Sequence, residues 1–249
     1  MDHPHEVILG NVRPLLLHSL SVPADLVVLV LAPHPDDFDE IGITLRHFRD
    51  NGNPIYVDVL SSGAAGVEDA FCTPPTLEQK AGIREQEQRE SCRFFGLPES
   101  HLAFLRLEED REGHIIESEK SIEEVRQRII GKKPDLVCLP HGNDSNLAHQ
   151  RTYSIFRRIA SELRHPVTAF LAKDPKTIRM RNDLYTIFGP DDAEWKARLL
   201  RFHHSQHQRN LNTRGCGLDE RILKVNRETA RKYLKSDAYA EVFEIQFWP

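Results

Sequence analysis

The order of apolar and polar positions predicts a layered fold. Residues 26–31 (LVVLVL) form an unbroken apolar run, the mark of a strand covered on both faces. Residues 36–51 then set Ile41, Leu45 and Phe48 on one helical face, and Gly52 stands where a helix end favours glycine. Residues 54–60 alternate as a second strand. Residues 76–95 read as a long, charged, amphipathic helix stopped by Gly96. A third strand over 101–107 precedes a helix over 121–130, with Ser118 or Ser121 as N-cap and Glu124 placed for a capping box with Ser121. A fourth strand (135–139, DLVCL), a helix (147–163) and a fifth strand (167–171) complete the alternation.

Strand and helix alternating in this way imply right-handed crossovers and a parallel sheet with helices on both faces, an α/β fold. Beyond residue 172 the pattern changes. Residues 178–188 read as antiparallel strand material, 191–208 and 218–234 as helices, and 240–247 as a last edge strand. No Gly-, Ser- or Pro-rich linker interrupts the chain. The expectation is one domain over 1–249, with a parallel core over about 24–172 and a C-terminal elaboration over about 173–249.

Composition narrows the function. The chain has 249 residues, 39% hydrophobic and 29% charged, with a net charge of −5, so it is neither disordered nor basic enough to suggest a nucleic-acid surface. No apolar stretch is long enough to span a membrane. The start, MDHPHEVILG, lacks the basic region of a secretory signal. Cys72, Cys92, Cys138 and Cys216 form no C-x-x-C pair, which disfavours a zinc ribbon or redox dithiol and suits a reducing cytoplasm. Thirteen histidines against four cysteines hint at imidazole chemistry instead.

Ligands of an open parallel sheet bind beyond the carboxyl ends of its strands. There the sequence places Pro33-His34-Pro35-Asp36-Asp37 after strand one, a small loop over 61–66 after strand two, and Pro140-His141-Gly142-Asn143-Asp144, then His149, after strand four. His34 and Asp37 can converge on one cation, with His149 as third ligand. Two imidazoles and one carboxylate suit hydrolytic Zn2+, and also Fe2+ or manganese. Asp36 is then free to act as general base on the activated water. Taken singly, Asp36 and Asp37 are explained as helix-capping residues and His34 and His149 as ordinary polar residues. Their coincidence at strand ends favours a site. Asp144 is placed to orient a ligand histidine or to form an Asx turn. His203, His204 and His207 are assigned to a solvated helix face. The 61–66 loop lacks the lysine and the glycine spacing of nucleotide-phosphate loops.

Ala32-Pro33-His34-Pro35-Asp36-Asp37 resembles the A-H-P-D-D-E signature of the PIG-L/LmbE-like zinc deacetylases, with an extra proline before the histidine. Arg84, Glu87 and residues 91–96 are similar to the family's R-x-x-E helix. Residues 144–149 resemble the segment that ends in a ligand histidine, and Lys196 with His203-His204-Ser205-Gln206 resembles a C-terminal K…H-x-S-Q element. The resemblance spans roughly residues 26–207. It implies a Rossmann-like three-layer fold, one zinc ion on His34, Asp37 and His149, Asp36 as general base, and an N-acetylglucosaminyl type of substrate. The chain departs from the pattern at Phe38, where the family has Glu, and at Asn146 and Ala148. Phe170 stands near the place where some members carry a residue that steadies the oxyanion.

These readings predict a cytoplasmic metal-dependent N-deacetylase acting on a small N-acetyl sugar conjugate, with neither nucleic acid nor membrane as partner and with room for self-association into a homo-oligomer. Two alternatives share the same residues: a hydrolase of another small acyl or phosphoester substrate, and a non-catalytic binding protein on the same fold.

Overall fold

The computed structural model describes residues 13–249; the N-terminal stretch read above for a signal lies outside them. Eight strands form one sheet: β1 (Leu15–Leu16), β2 (Val28–Ala32), β3 (Ile55–Val59), β4 (Leu102–Phe104), β5 (Leu136–Pro140), β6 (Val167–Ala172), β7 (Leu184–Phe188) and β8 (Tyr239–Trp248), in the spatial order β1-β7-β8-β6-β5-β2-β3-β4. Every pairing is parallel except those of β8, which runs antiparallel to β6 and β7. The helices are α1 (Gly42–Asp50), α2 (Leu77–Phe95), α3 (Glu119–Lys132), α4 (Leu147–Ala160), α5 (Pro190–Arg201), α6 (His204–Arg214) and α7 (Leu218–Thr229). This is the mostly parallel α/β architecture that the alternation predicts.

Strand β2 shows why a continuous apolar run was needed. Val28, Val30 and Ala32 face one layer, with Leu45 and Phe48 of α1, Phe95 of α2 and Leu199 of α5. Leu29 and Leu31 face the other, with Val125 and Ile129 of α3 and Ile155, Phe156 and Ile159 of α4. The two clusters make a three-layer sandwich. Cys138 of β5 is buried within the first, a small apolar residue. The N-cap of α3 is Ser118, whose hydroxyl accepts from the Ser121 amide at 3.1 Å, so the alternative capping box at Ser121 is not formed. Among the described residues no helix is long and apolar enough to cross a membrane.

Three expectations for the C-terminal part are corrected. Residues 240–247 do not form an edge strand: β8 lies between β6 and β7, and the edges are β1 and β4. Glu241 and Glu244 mimic a solvent-facing stripe, but both are buried because basic groups meet them. Lys196 Nζ lies 2.7 Å from Glu241 Oε1, and Arg181 Nη1 lies 3.2 Å from Glu244 Oε1. Of residues 178–188 only 184–188 are strand. The helix predicted over 191–208 breaks at Phe202-His203, because the His203 ring turns inward to a buried carboxylate. That also removes His203 from the solvated face: it is fully buried, while His204 is exposed.

The Lys196–Glu241 pair joins the elaboration to the parallel core. Lys196 Nζ also donates to Asn226 Oδ1 (2.9 Å) and to the Glu40 carbonyl (2.5 Å). Glu241 in turn accepts from the amides of Ile43 (3.0 Å) and Thr44 (2.8 Å), free donors at the start of α1. We expect Lys196→Met to strand this buried carboxylate and to destabilise the protein by about 3–5 kcal/mol, read from urea unfolding midpoints, with part of the loss recovered in Lys196→Met/Glu241→Gln.

Candidate functional site

The site opens at the carboxyl ends of β2, β3, β5 and β6. Asp36 and Asp37 are not helix caps. Helix α1 begins only at Gly42, after a 3-10 turn, and its first amides are met by Glu241. The chain instead makes a tight turn in which the Asp37 carboxylate accepts from the His34 amide at 2.7 Å. Asp36 adopts φ 109°, a conformation unfavourable for a side-chain-bearing residue and maintained only where surroundings hold it. Two groups of α2 do so. The Asp36 amide donates to Gln88 Oε1 (2.9 Å), and Arg84 Nη2 reaches Asp36 Oδ1 (3.1 Å) while also donating to the Pro35 carbonyl.

The structure brings His34, Asp37 and His149 together. Asp37 Oδ2 lies 3.2 Å from His34 Nδ1, and Asp37 Oδ1 lies 3.3 Å from His149 Nε2. One ligand atom from each of the three lies within 4.8 Å of the other two. His149 is placed by the first turn of α4, which begins behind an Asn146 N-cap whose side chain accepts from the Ala148 amide. Asn146, one of the departures from the resembled pattern, thus serves the helix start.

Behind His149 lies a residue that the strand-end rule reaches but that was passed over. Asp174, just after β6, and Asp144 each place Oδ2 3.4 Å from His149 Nδ1, and Asp144, His149 and Asp174 form a second close cluster. Asp144 also makes the Asx-type turn, accepting from the Asn146 amide at 2.6 Å. Arg84, Gln88 and Asp39 were not singled out for the turn, and only their proximity in the fold shows what they do. Phe170 is not near the site chemistry. It is buried in β6 against Phe48 and Phe243 and carries no polar atom.

The charges of these groups act strongly on one another. Burial alone would raise the Asp37 carboxyl, yet His149 and His34 beside it hold it well below the ordinary carboxylate range. Burial opposes charge on the His149 ring, yet Asp37, Asp144 and Asp174 raise it to about 10. Burial, and then the nearby Asp174, Asp37 and Asp36, push Glu40 well above its ordinary value. Negative charge is thus in surplus around two imidazoles. The two histidines approach different oxygens of Asp37, and one donor atom from each of the three residues lies within 4.8 Å of the others, a nitrogen and oxygen donor set that fits one divalent ion.

Above these residues is a cavity of about 650 Å³, the size of a small-molecule site. Its floor carries His34, Asp36, Asp37 and Glu40. Gly63 and Gly66 of the loop after β3 form one wall. At Gly63, with φ +62°, a Cβ would come within 3.3 Å of the Arg84 guanidinium and Pro35. The resembled C-terminal element closes the site from outside: His203 Nε2 lies 2.6 Å from Asp39 Oδ2, Ser205 donates to Glu87 through its amide and hydroxyl, and Gln206 Nε2 donates to the Gly66 carbonyl.

Several solved structures share this fold. No curated protein sequence matches the chain. An N,N'-diacetylchitobiose deacetylase from Pyrococcus horikoshii superposes with a TM-score of 0.74 at 18% identity, over 97% of this chain and 89% of its own. A teicoplanin deacetylase in a zinc-inhibited form does so with a TM-score of 0.65 at 15% identity, over 89% and 98%. A 4-carboxy-2-hydroxymuconate hydratase from Pseudomonas putida has the same fold with a TM-score of 0.59 at 16% identity, over 88% and 95%. The family model described as PIG-L, GlcNAc-PI de-N-acetylase, matches residues 29–160, more than half of the chain, from within β2 to the end of α4. On that match the chain belongs to the PIG-L family of GlcNAc-PI de-N-acetylases.

Proposed function

We propose that the protein is a metal-dependent hydrolase that removes the acetyl group from an N-acetylated amino-sugar conjugate of N-acetylglucosaminyl type. One observation carries the reading: two imidazole nitrogens and one carboxylate converge beside a small-molecule cavity that His34, Asp37 and a further carboxylate, Asp36, line. The deacetylases among the structural neighbours and the name of the family support the same substrate class. The hydratase shows that this fold also hosts other chemistry, so the donor set and a substrate test carry the argument.

His34, Asp37 and His149 would hold the ion, zinc fitting the donors best and ferrous iron also. When bound, such an ion supplies Lewis acidity, polarising the amide carbonyl and acidifying water. Asp36 is the base. Arg84 fixes one of its oxygens, Oδ1, while Oδ2 has no protein hydrogen bond among the described residues and Asp36 lines the cavity. That oxygen takes the proton of the attacking water as the new C–O bond forms at the acyl carbon. It then delivers the proton to the sugar nitrogen as the C–N bond breaks, giving acetate and a free amine. Asp144 and Asp174 position the His149 ring through Nδ1, which leaves Nε2 toward Asp37 and the ion.

Acetate release from a panel of N-acetylglucosaminides and simple esters and phosphoesters, with metal content measured alongside, tests this reading. Asp36→Asn is expected to keep its metal and lose about 10²–10⁴-fold in turnover. His149→Ala is expected to lose the metal. Asp174→Asn should weaken metal affinity by about 10–100-fold, measured by competition with a chromogenic chelator. Full acetate release by Asp36→Asn, or no acetate release by the metal-loaded wild type from any sugar, would overturn the assignment.

A further inference from the structure

One histidine of the cavity wall takes no part in the metal site. His114 lines the cavity from the tip of a hairpin over residues 108–116. Backbone bonds close the hairpin: the Asp110 amide donates to the His114 carbonyl at 2.8 Å, and the Ile116 amide to the Glu108 carbonyl at 2.7 Å. Two carboxylates lie on the Nδ1 side of the ring, Asp110 Oδ1 at 3.4 Å and Glu112 Oε2 at 3.7 Å. Nδ1 is buried. Nε2 has no protein hydrogen bond among the described residues, and it is the nitrogen left free for a ligand in the cavity.

The ring is held from two directions, and both lead to the site. Arg151 stands on α4 two residues after His149, and its Nη1 donates to Asp110 Oδ2 (3.0 Å) and to the Ile115 carbonyl (2.6 Å). Asp110 Oδ1 accepts from the His114 and Glu112 amides, both at 3.0 Å. The His114 amide, then Arg151 and the Glu112 amide, draw the Asp110 carboxyl down to about 2, so it stays ionised at neutral pH. On the other side Glu109 Oε1 accepts from the Ser62 amide at 2.7 Å. Gly113, at φ +82°, packs so closely on the loop after β3 that a Cβ there would lie 2.5 Å from the Ala65 Cβ. The same loop carries Gly63, which rests against Arg84 and Pro35. The hairpin is therefore braced both on the helix that carries His149 and on the loop packed against the group that holds Asp36. Such bracing fixes a side chain closely enough to discriminate between ligands.

From this placement we infer that His114 is a specificity-determining residue of the site, its Nε2 hydrogen-bonding one ring hydroxyl of the amino sugar. The inference rests on the deacetylase reading and deepens it by naming a protein group that reads the sugar. Charge and chemistry select a hydroxyl. Asp110 and Glu112 beside the ring repel an anion. An imidazole nitrogen accepts or donates according to the proton it carries, and a hydroxyl does both, so the two pair in either form of the ring. A sugar that lacks the hydroxyl leaves Nε2 without a partner once the ligand has displaced water, and that cost is the source of selectivity.

The test compares acetate release from the methyl glycoside of N-acetylglucosamine with release from its 3-deoxy, 4-deoxy and 6-deoxy analogues, with metal content measured in each protein. For the wild type, removal of one of the three hydroxyls should lower kcat/KM by about 10–100-fold, as expected when a polar group is left unpaired. In His114→Phe, which keeps a flat ring without a polar atom, that ratio should approach one, while the other two ratios and the metal content match the wild type. His114→Gln, which keeps a donor and an acceptor, should restore part of the discrimination. A merely structural role for His114 would lower turnover of all four substrates alike in His114→Phe and leave the ratios unchanged. That result overturns the inference, as does a wild type indifferent to all three hydroxyls. In both cases the wild type still releases acetate and the deacetylase reading stands. A metal-loaded wild type that releases acetate from none of the four overturns that reading and this inference with it.

Discussion

Four carboxylates in five consecutive positions, Asp36, Asp37, Asp39 and Glu40, meet at the end of a buried strand. Like charges this close, out of bulk water, repel strongly, and a turn that carried them without partners would not hold its shape. The structure separates them by direction and provides a different positive or donor group for almost every one. Asp36 turns to Arg84, Asp37 to His34 and His149, and Asp39 to His203, Gln88 and Ser91. Glu40 keeps its carboxyl in the cavity, pushed toward the neutral form, while its carbonyl accepts from Lys196. The left-handed backbone of Asp36 is part of the same arrangement, since it sends adjacent side chains to different neighbours.

This constraint gives the C-terminal elaboration its purpose. A parallel core through β6 buries its apolar faces and supplies Arg84, Gln88 and His149 to the turn, but it lacks the remaining groups that hold it. These remaining groups arrive late in the chain: Lys196 on α5, His203 at the break between α5 and α6, Glu241 on β8. The insertion of β8 between β6 and β7 sets Glu241 at the start of α1, where its carboxylate stabilises the helix dipole and offsets the charge of Lys196. The break after α5 follows from the same demand. A continuous helix through residue 208 would carry the His203 ring away from Asp39.

The cavity extends the principle from the turn to the ligand. Acidic groups gather around the imidazoles on one side of the cavity, and the helices that close the site present Arg209, Arg214 and Arg221 on the other. The His149 ring is where fold and chemistry meet, with Asp144 and Asp174 behind it and Asp37 in front.

Much of this was legible along the chain. Continuous apolar runs separated by amphipathic stretches require buried parallel strands with helices on either face, and parallel strands open their ligand sites at one end. His34, Asp36, Asp37 and His149 could therefore be placed at that end from sequence position alone. Asp174 obeyed the same rule, standing directly after the fifth predicted strand, and was missed because a lone acid in a turn carries no pattern. The errors share one cause. Residues 240–247 read as an edge strand, and the His203 segment as an exposed helix, because hydrophobic periodicity treats every charge as a surface residue. Whether a charge is buried depends on its partner, and these partners are remote: Asp39 and His203 are 164 positions apart, Ile43 and Glu241 are 198. Local periodicity extends over one helical turn or one pleat and so determined the layers and the location of the site. Which acid meets which base was decided only when the chain closed on itself, since that choice depends on distances that no short stretch of sequence contains.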